Sequence, residues 1–254
     1  MRESDVALDV RGVSKSFGGV RAVSDASFTV LRGARHALIG PNGAGKTTLF
    51  NLVAGELRAD SGQIALFGQD ITRLSVERRA GLGLGRTYQI SQLFGGLTVA
   101  DNLALATTRG RRLAFNLFSR RSADAGMRAE IDEVAATVRL DGRLEQAVSE
   151  LSHGEQRQLE LGMVLAMRSE LIMLDEPAAG LSPAERVTLA EVISSLPEDK
   201  TLILIEHDMD LVLSLAERIT VLDRGHPIAE GTPSEIRSNT TVQDVYLGSA
   251  AHHE

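Results

Sequence analysis

The stretch Gly40-Pro41-Asn42-Gly43-Ala44-Gly45-Lys46-Thr47-Thr48 decides how the rest of the chain is read. It fits G-x-x-x-x-G-K-[ST], the pattern of a loop that cradles phosphates. Before it, His36-Ala37-Leu38-Ile39 is a short apolar run that stops at Gly40. After it, residues 46–57 place Leu49, Phe50, Leu52, Val53 and Leu57 at helical spacing. A strand, a glycine loop and a helix in that order give the chemistry its setting. The glycines let the backbone curl so that successive N–H groups face an anion, and the helix N-terminus adds its positive dipole end. Lys46 is then expected to reach the β and γ phosphates of a nucleotide, Thr47 to coordinate Mg²⁺ and Thr48 to donate to the α phosphate.

Outward from that loop, the chain reads as an α/β protein. Residues 6–13 and 26–30 alternate apolar and polar as half-buried strands do, and residues 63–67 follow a Ser61-Gly62 turn as another short strand. Residues 90–155 are mostly helical, with helical periodicity over 98–108 and 127–140. Between those two helices, residues 109–121 hold five Arg in thirteen residues, interleaved with Leu113, Phe115, Leu117 and Phe118. That insert reads either as a solvated loop or as a contact for a membrane protein or anionic headgroups. The last hundred residues alternate helix and strand, which implies a parallel sheet covered by helices. Ser152 with Glu155 and Ser182 with Glu185 form capping boxes, the first opening a helix over 155–168 and the second followed by Pro183 at the first helical position.

Composition narrows the class. The chain has 254 residues, enough for a sizeable core, and no Cys, so it carries no disulfide, zinc thiolate or catalytic thiol. Its net charge of -7 argues against a general nucleic-acid binder, which needs a basic face. No apolar run approaches a membrane span, and the first five residues do not resemble a secretory signal, so a cytoplasmic location is expected.

An apolar run, Leu171-Ile172-Met173-Leu174, ends in Asp175-Glu176. Carboxylates at the carboxyl end of a parallel strand lie where such sheets bind ligands. Asp175 is suited to the Mg²⁺ hydration shell and Glu176 to polarising an attacking water as general base. Between loop and acids lies Leu151-Ser152-His153-Gly154-Glu155-Gln156, with Gln89 upstream and His207 following the strand at 201–205.

Taken in order, Phe17, the phosphate loop, Gln89, the Ser152–Glu155 signature, the two acids and His207 resemble an ATP-binding cassette (ABC) transporter ATPase over essentially the whole chain. The resemblance implies a P-loop NTPase core of the RecA-like kind, with an N-terminal antiparallel β subdomain and an inserted helical subdomain. The core is expected over 6–89 and 156–254 of a single domain, 6–254, and the helical subdomain over 90–155. It also implies site roles. Phe17 would stack on adenine. Gln89 would touch Mg²⁺ and sense the helical subdomain. Ser152, His153, Gly154 and Glu155 would face the γ-phosphate held by a partner subunit, and His207 would contact γ-phosphate and orient the water. The implied cofactor is Mg²⁺ with ATP. The implied partners are membrane permease subunits, a second ABC ATPase (a copy or a relative) and, indirectly, a solute-binding protein, with the chain peripheral on the cytoplasmic face of the membrane.

Three departures from the family pattern stand out. His153 replaces a Gly and Glu155 a Gln, the latter adding negative charge near a phosphate, and Ser182 stands where many members carry Asp. Within the family, Leu174–Leu181, Glu206–Val212, Ala229-Glu230-Gly231-Thr232-Pro233 and Val245-Tyr246-Leu247-Gly248 resemble the larger ATPase of branched-chain amino acid importers. Short amides and urea are the alternative solutes of that branch. A chromosome-structure ATPase would need a long coiled-coil arm, for which the 62 residues between Gln89 and Ser152 are too few.

Overall fold

The computed structural model describes residues 5–87, 93–108 and 125–250. Gln89 and the arginine-rich insert at 109–121 lie outside the described residues. The chain divides into two compact units: residues 1–84, 171–176 and 198–254 form the first, and residues 85–170 with 177–197 the second.

The first unit holds one whole sheet and five strands of a second. Strands β1 (Val6–Phe17), β2 (Val20–Leu31), β4 (Ser61–Leu66) and β5 (Gln69–Asp70) make an antiparallel sheet in the order β2-β1-β4-β5. The second sheet runs β10-β9-β3-β8-β7-β6, from β3 (Arg35–Ile39), β6 (Leu84–Arg86), β7 (Leu171–Asp175), β8 (Thr201–Ile205), β9 (Arg218–Asp223) and β10 (His226–Gly231). Within it β9, β3, β8 and β7 are mutually parallel and β10 turns back antiparallel on β9. Every residue of β7 and β8 is buried, as expected of parallel strands covered on both faces. Helices α1 (Lys46–Ala54), α2 (Val76–Gly81), α7 (Met209–Leu215), α8 (Pro233–Ser238) and α9 (Thr240–Ala250) belong to this unit.

Register matters for the site. Leu38 of β3 and Asp175 of β7 both pair with Ile205 of β8. Three neighbouring strands therefore end level, and the segments leaving them start from one sheet edge, the position where open α/β sheets bind ligands.

Helix α1 is anchored at its far end by a buried cation. Arg79, on α2, is 1% exposed. Its Nη1 donates to Leu52 and Val53 O at 2.7 Å, Nε to Leu74 O at 3.0 Å and Nη2 to Thr72 O at 3.2 Å. Burial lowers its pKa to about 10, so it remains a cation at neutral pH. It therefore satisfies the last carbonyls of α1 and opposes the negative end of the helix dipole. Gly55 closes the helix in the left-handed region, at φ 88°, and a Cβ there would lie 2.7 Å from Arg79 Nε.

His36 sits inside this core, with a ring nitrogen 2.8 Å from Thr220 Oγ1. Burial pushes its pKa down from 6.5 to about 4, and Arg218 adds to the effect. A histidine lowered in this way contributes stability that is present above its unfolded pKa and is lost as pH falls toward the folded one. The full shift corresponds to about 3 kcal/mol. The urea midpoint of the wild-type chain is expected to fall more steeply from pH 6.5 to 4.5 than that of His36→Gln, and parallel curves would remove His36 as the cause.

The second unit is helical: α3 (Val99–Thr108), α4 (Ala125–Thr137), α5 (His153–Ala166) and α6 (Pro183–Ser194), with α5 packed against the other three. Helix α5 begins at His153 rather than at 155, because Ser152 is the N-cap and its side chain accepts from Glu155 N–H. Sequence periodicity did not mark α2, β5, β6, β10, α8 or α9. Most span six residues or fewer, too short for an amphipathic repeat to register, and α9 carries Gly and Ser among its eleven.

Candidate functional site

The phosphate loop leaves β3 and turns into α1, and two of its glycines, Gly40 and Gly45, answer to backbone crowding. Gly40 has φ 149° and a Cβ there would meet Leu222 O at 2.1 Å. Gly45 has φ 97°, and its Cβ would meet Ala22 O at 2.3 Å. The turn at Gly225 pins the loop from outside, since Gly225 N–H donates to Ala44 O at 2.9 Å and Ser24 N–H to Gly225 O at 2.8 Å. The α1 N-cap, Gly45, brings no side-chain cap, and the first turn holds no acidic residue. That end of the helix thus keeps its positive potential for an anion.

Lys46 is buried and bends back over the loop. Its Nζ donates to Gly40 O at 2.6 Å and Pro41 O at 3.0 Å. Burial lowers its pKa, and the Glu176 carboxylate works against that shift. Thr47, Asn42 and Gly43 are exposed, Thr48 and Pro41 are half-buried and Ala44 is buried.

The acids follow two strands away. Asp175 is buried at the last position of β7. Glu176 takes the left-handed region at φ 46°, and its N–H donates to Ile205 O at 3.0 Å. A non-glycine residue held there stores strain, a feature that clusters at active sites. His207 follows β8 and its side chain is exposed, with Nδ1 3.9 Å from both Glu176 Oε1 and Glu206 Oε2. Glu206 is fully buried and accepts from the His207 N–H at 3.1 Å, which sets the direction in which His207 leaves the strand. Asp208 then caps α7.

Phe17 ends β1 with 49% of its surface exposed, and Lys15 Nζ lies 5.6 Å from its ring centroid. An exposed aromatic at a strand end is not a core residue, and it is open to a flat partner.

The signature residues belong to the second unit. Ser152 and His153 are exposed, whereas Gly154 is buried. Glu155 does not carry a loose negative charge: its Oε2 accepts from Ser152 N–H at 2.9 Å and its Oε1 from Arg143 Nε at 3.0 Å.

Three residues at these sites were not picked out as site residues in the sequence. Glu206 is legible as the charged residue after an apolar strand and as the start of the subfamily stretch Glu206–Val212, neither of which gives it a role. Glu185 read as an ordinary capping glutamate. Tyr246 of α9 is legible only as part of the subfamily stretch Val245–Gly248; burial pushes its phenol up to about 12, opposed by a hydrogen bond from the Gly40 backbone N–H.

The oxygen donors available for Mg²⁺ are the Thr47 hydroxyl and the Asp175 carboxylate. Among the described residues no group of three His, Cys, Asp or Glu could hold a metal by itself. Such a donor set suits Mg²⁺, which keeps waters and is completed by substrate phosphates rather than by a protein cage.

The model of the ABC transporter family matches residues 23–179, which include the phosphate loop, the signature turn and both acids. The chain belongs to the ABC transporter ATPases. A second model, that of the branched-chain amino acid ATP-binding cassette transporter, matches residues 226–252. This ABC ATPase is 40% identical to the high-affinity branched-chain amino acid transport ATP-binding protein LivG of Salmonella typhimurium, over 97% of this chain and 100% of that one. It is 38% identical to BraF of Pseudomonas aeruginosa, of the same description, over 96% of this chain and 98% of that one. Among solved structures, a nucleotide-free ATP-binding cassette from an ABC transporter superposes with TM-score 0.82 at 28% identity, covering 95% of this chain and 98% of the other. The mixed fold expected from the sequence, an antiparallel β sheet beside a P-loop core and a helical insert, is the ABC cassette fold. No described helix of this ATPase is long and apolar enough to cross a membrane.

Proposed function

We propose that this ABC ATPase drives uptake of branched-chain amino acids from the cytoplasmic face of a membrane, bound to permease subunits and paired with a second ABC ATPase, with a solute-binding protein supplying the complex. The observation that carries the solute is the subfamily match over residues 226–252, joined to relatives named for branched-chain amino acid transport.

In this reading ATP lies with its phosphates on the loop 40–48 and its adenine against Phe17. Lys46 trades its loop carbonyls for β and γ phosphate oxygens. Thr47 and Asp175 would hold Mg²⁺, whose charge would offset that of the phosphates. Gln89, outside the described residues, would touch the ion and sense the helical subdomain. Glu176 accepts a hydrogen bond from the attacking water and takes its proton as oxygen bonds to the γ-phosphorus. The bond from that phosphorus to the β–γ bridging oxygen breaks, giving ADP and phosphate. His207, held by the buried Glu206, orients water and γ-phosphate. Ser152, His153, Gly154 and Glu155 present the N-terminus of α5 to the ATP of the second ATPase.

The test is uptake. Cells lacking their own importer but carrying this ATPase with the permease genes beside it should accumulate labelled leucine, isoleucine and valine, and Glu176→Gln should abolish accumulation. Uptake of urea or a short amide in place of the amino acids would move the solute to the other substrates of the branch.

A further inference from the structure

The two capping boxes of the second unit are alike in sequence but differ in what their glutamates hold. Glu155 closes its own box and turns its spare oxygen to Arg143. Glu185 closes its own box, with Oε2 accepting from Ser182 N–H at 2.9 Å and Ser182 Oγ at 2.7 Å. Its spare oxygen crosses to another helix, where Oε1 accepts from the Gly154 N–H at 3.0 Å. Gly154 is the second residue of α5, and its N–H is one of the donors that a helix start leaves without an internal partner. One carboxylate thus serves the starts of α5 and α6 together.

The fit is close. A Cβ on Gly154 would lie 2.8 Å from Glu185 Cγ, 3.0 Å from Oε1 and 3.1 Å from Cβ. The hydrogen bonds from Ser182, with those from Gly154 and Ser152, hold the Glu185 carboxyl down at about 2, so it is an anion throughout the physiological range. The chain reaches this cap directly from the catalytic acid, since residues 177–182 connect Glu176 to α6.

We propose that Glu185 is a positioning residue for ATP hydrolysis, its carboxylate locking the signature turn to the start of α6 through the Gly154 N–H, and that position 154 is glycine because of Glu185. The proposal rests on the ATPase reading above. It has a direct competitor, in which 154 is glycine only because the phosphate of a second subunit's ATP needs room there. The two accounts differ in what Glu185 does to a larger residue at 154.

The experiment is a double-mutant cycle on steady-state ATP hydrolysis by the purified transporter complex. A misplacement of about 1 Å can cost about a hundredfold in rate, so Gly154→Ala is expected to lower kcat by about that factor. Glu185→Ala should lower kcat about tenfold, because Ser182 still caps α6 while the link to α5 is lost. The double variant should fall about thirtyfold at most, since losing Glu185 Cγ and Oε1 relieves the two closest contacts of the new methyl and leaves only the one with Cβ at 3.1 Å. Glu185→Gln keeps an acceptor for Gly154 without the charge and should fall about threefold. KM for ATP should stay within about twofold in Glu185→Ala and Glu185→Gln, because Glu185 is not among the residues that face ATP. Unfolding temperatures taken in parallel separate lost positioning from lost fold. Multiplied effects, about a thousandfold in the double variant, would overturn the proposal. So would wild-type kcat in both Glu185→Ala and Glu185→Gln. Undiminished turnover by Glu176→Gln, measured beside them, would instead strike the ATPase reading itself.

Discussion

Glu176→Gln is expected to bind ATP with near wild-type affinity and to lose about a thousandfold in turnover. General-base catalysis by a positioned side chain contributes roughly 10²–10⁴, and an amide of the same shape cannot take the proton of the attacking water. The substitution removes little else. Glu176 anchors its backbone through a bond from its N–H to Ile205 O at 3.0 Å, which the amide side chain leaves intact. Single-turnover kinetics with radiolabelled ATP would separate binding from chemistry, and turnover within tenfold of wild type would remove Glu176 as the base. A companion variant examines the strain. At φ 46° a glycine is at ease where a glutamate is not, so Glu176→Gly should be as inactive as Glu176→Gln yet about 1 kcal/mol more stable. A gain in stability with loss of activity would mean that the left-handed turn is kept for the direction in which it aims the carboxylate.

The second large effect falls on binding itself. Lys46→Ala is expected to weaken ATP binding by at least about a hundredfold in calorimetry. A hydrogen bond from a charged donor contributes about 1.5–3 kcal/mol, and in the proposed function Lys46 makes one to each of two phosphates. Its burial adds to the effect, because the ammonium is already partly desolvated beside the loop, and phosphate replaces the bonds it makes there to Gly40 and Pro41 O. Loss of those two bonds perturbs the empty loop only locally, since Gly225 and Ala44 continue to pin it. An unfolding temperature close to wild type, with affinity gone, is the expected pair of results. Undiminished affinity would mean that phosphate binds elsewhere.

Much of this protein is determined locally and can be read in that form. The run from Gly40 to Thr48 dictates a strand, a turn and a helix because only glycine tolerates the φ values and the backbone approaches seen at Gly40 and Gly45. The apolar runs at Leu171–Asp175 and Thr201–Ile205 dictate buried parallel strands, and the serines at 152 and 182 dictate helix starts, because each of these signals lies within a few residues. What only the tertiary structure decided is which groups meet across long sequence distances. The level ends of β3, β8 and β7 follow from a pairing register in which Leu38 and Asp175 share Ile205. Arg79 is unremarkable in sequence and becomes the cap of α1 only when α2 folds back over it. Glu155 and Glu185 occupy identical places in identical motifs, and what surrounds the second carboxylate oxygen, an arginine for one and the Gly154 N–H for the other, separates their roles. A capping motif specifies one oxygen of its carboxylate from within four residues; the other is free to bond whatever packing brings near, and packing is a property of the folded chain.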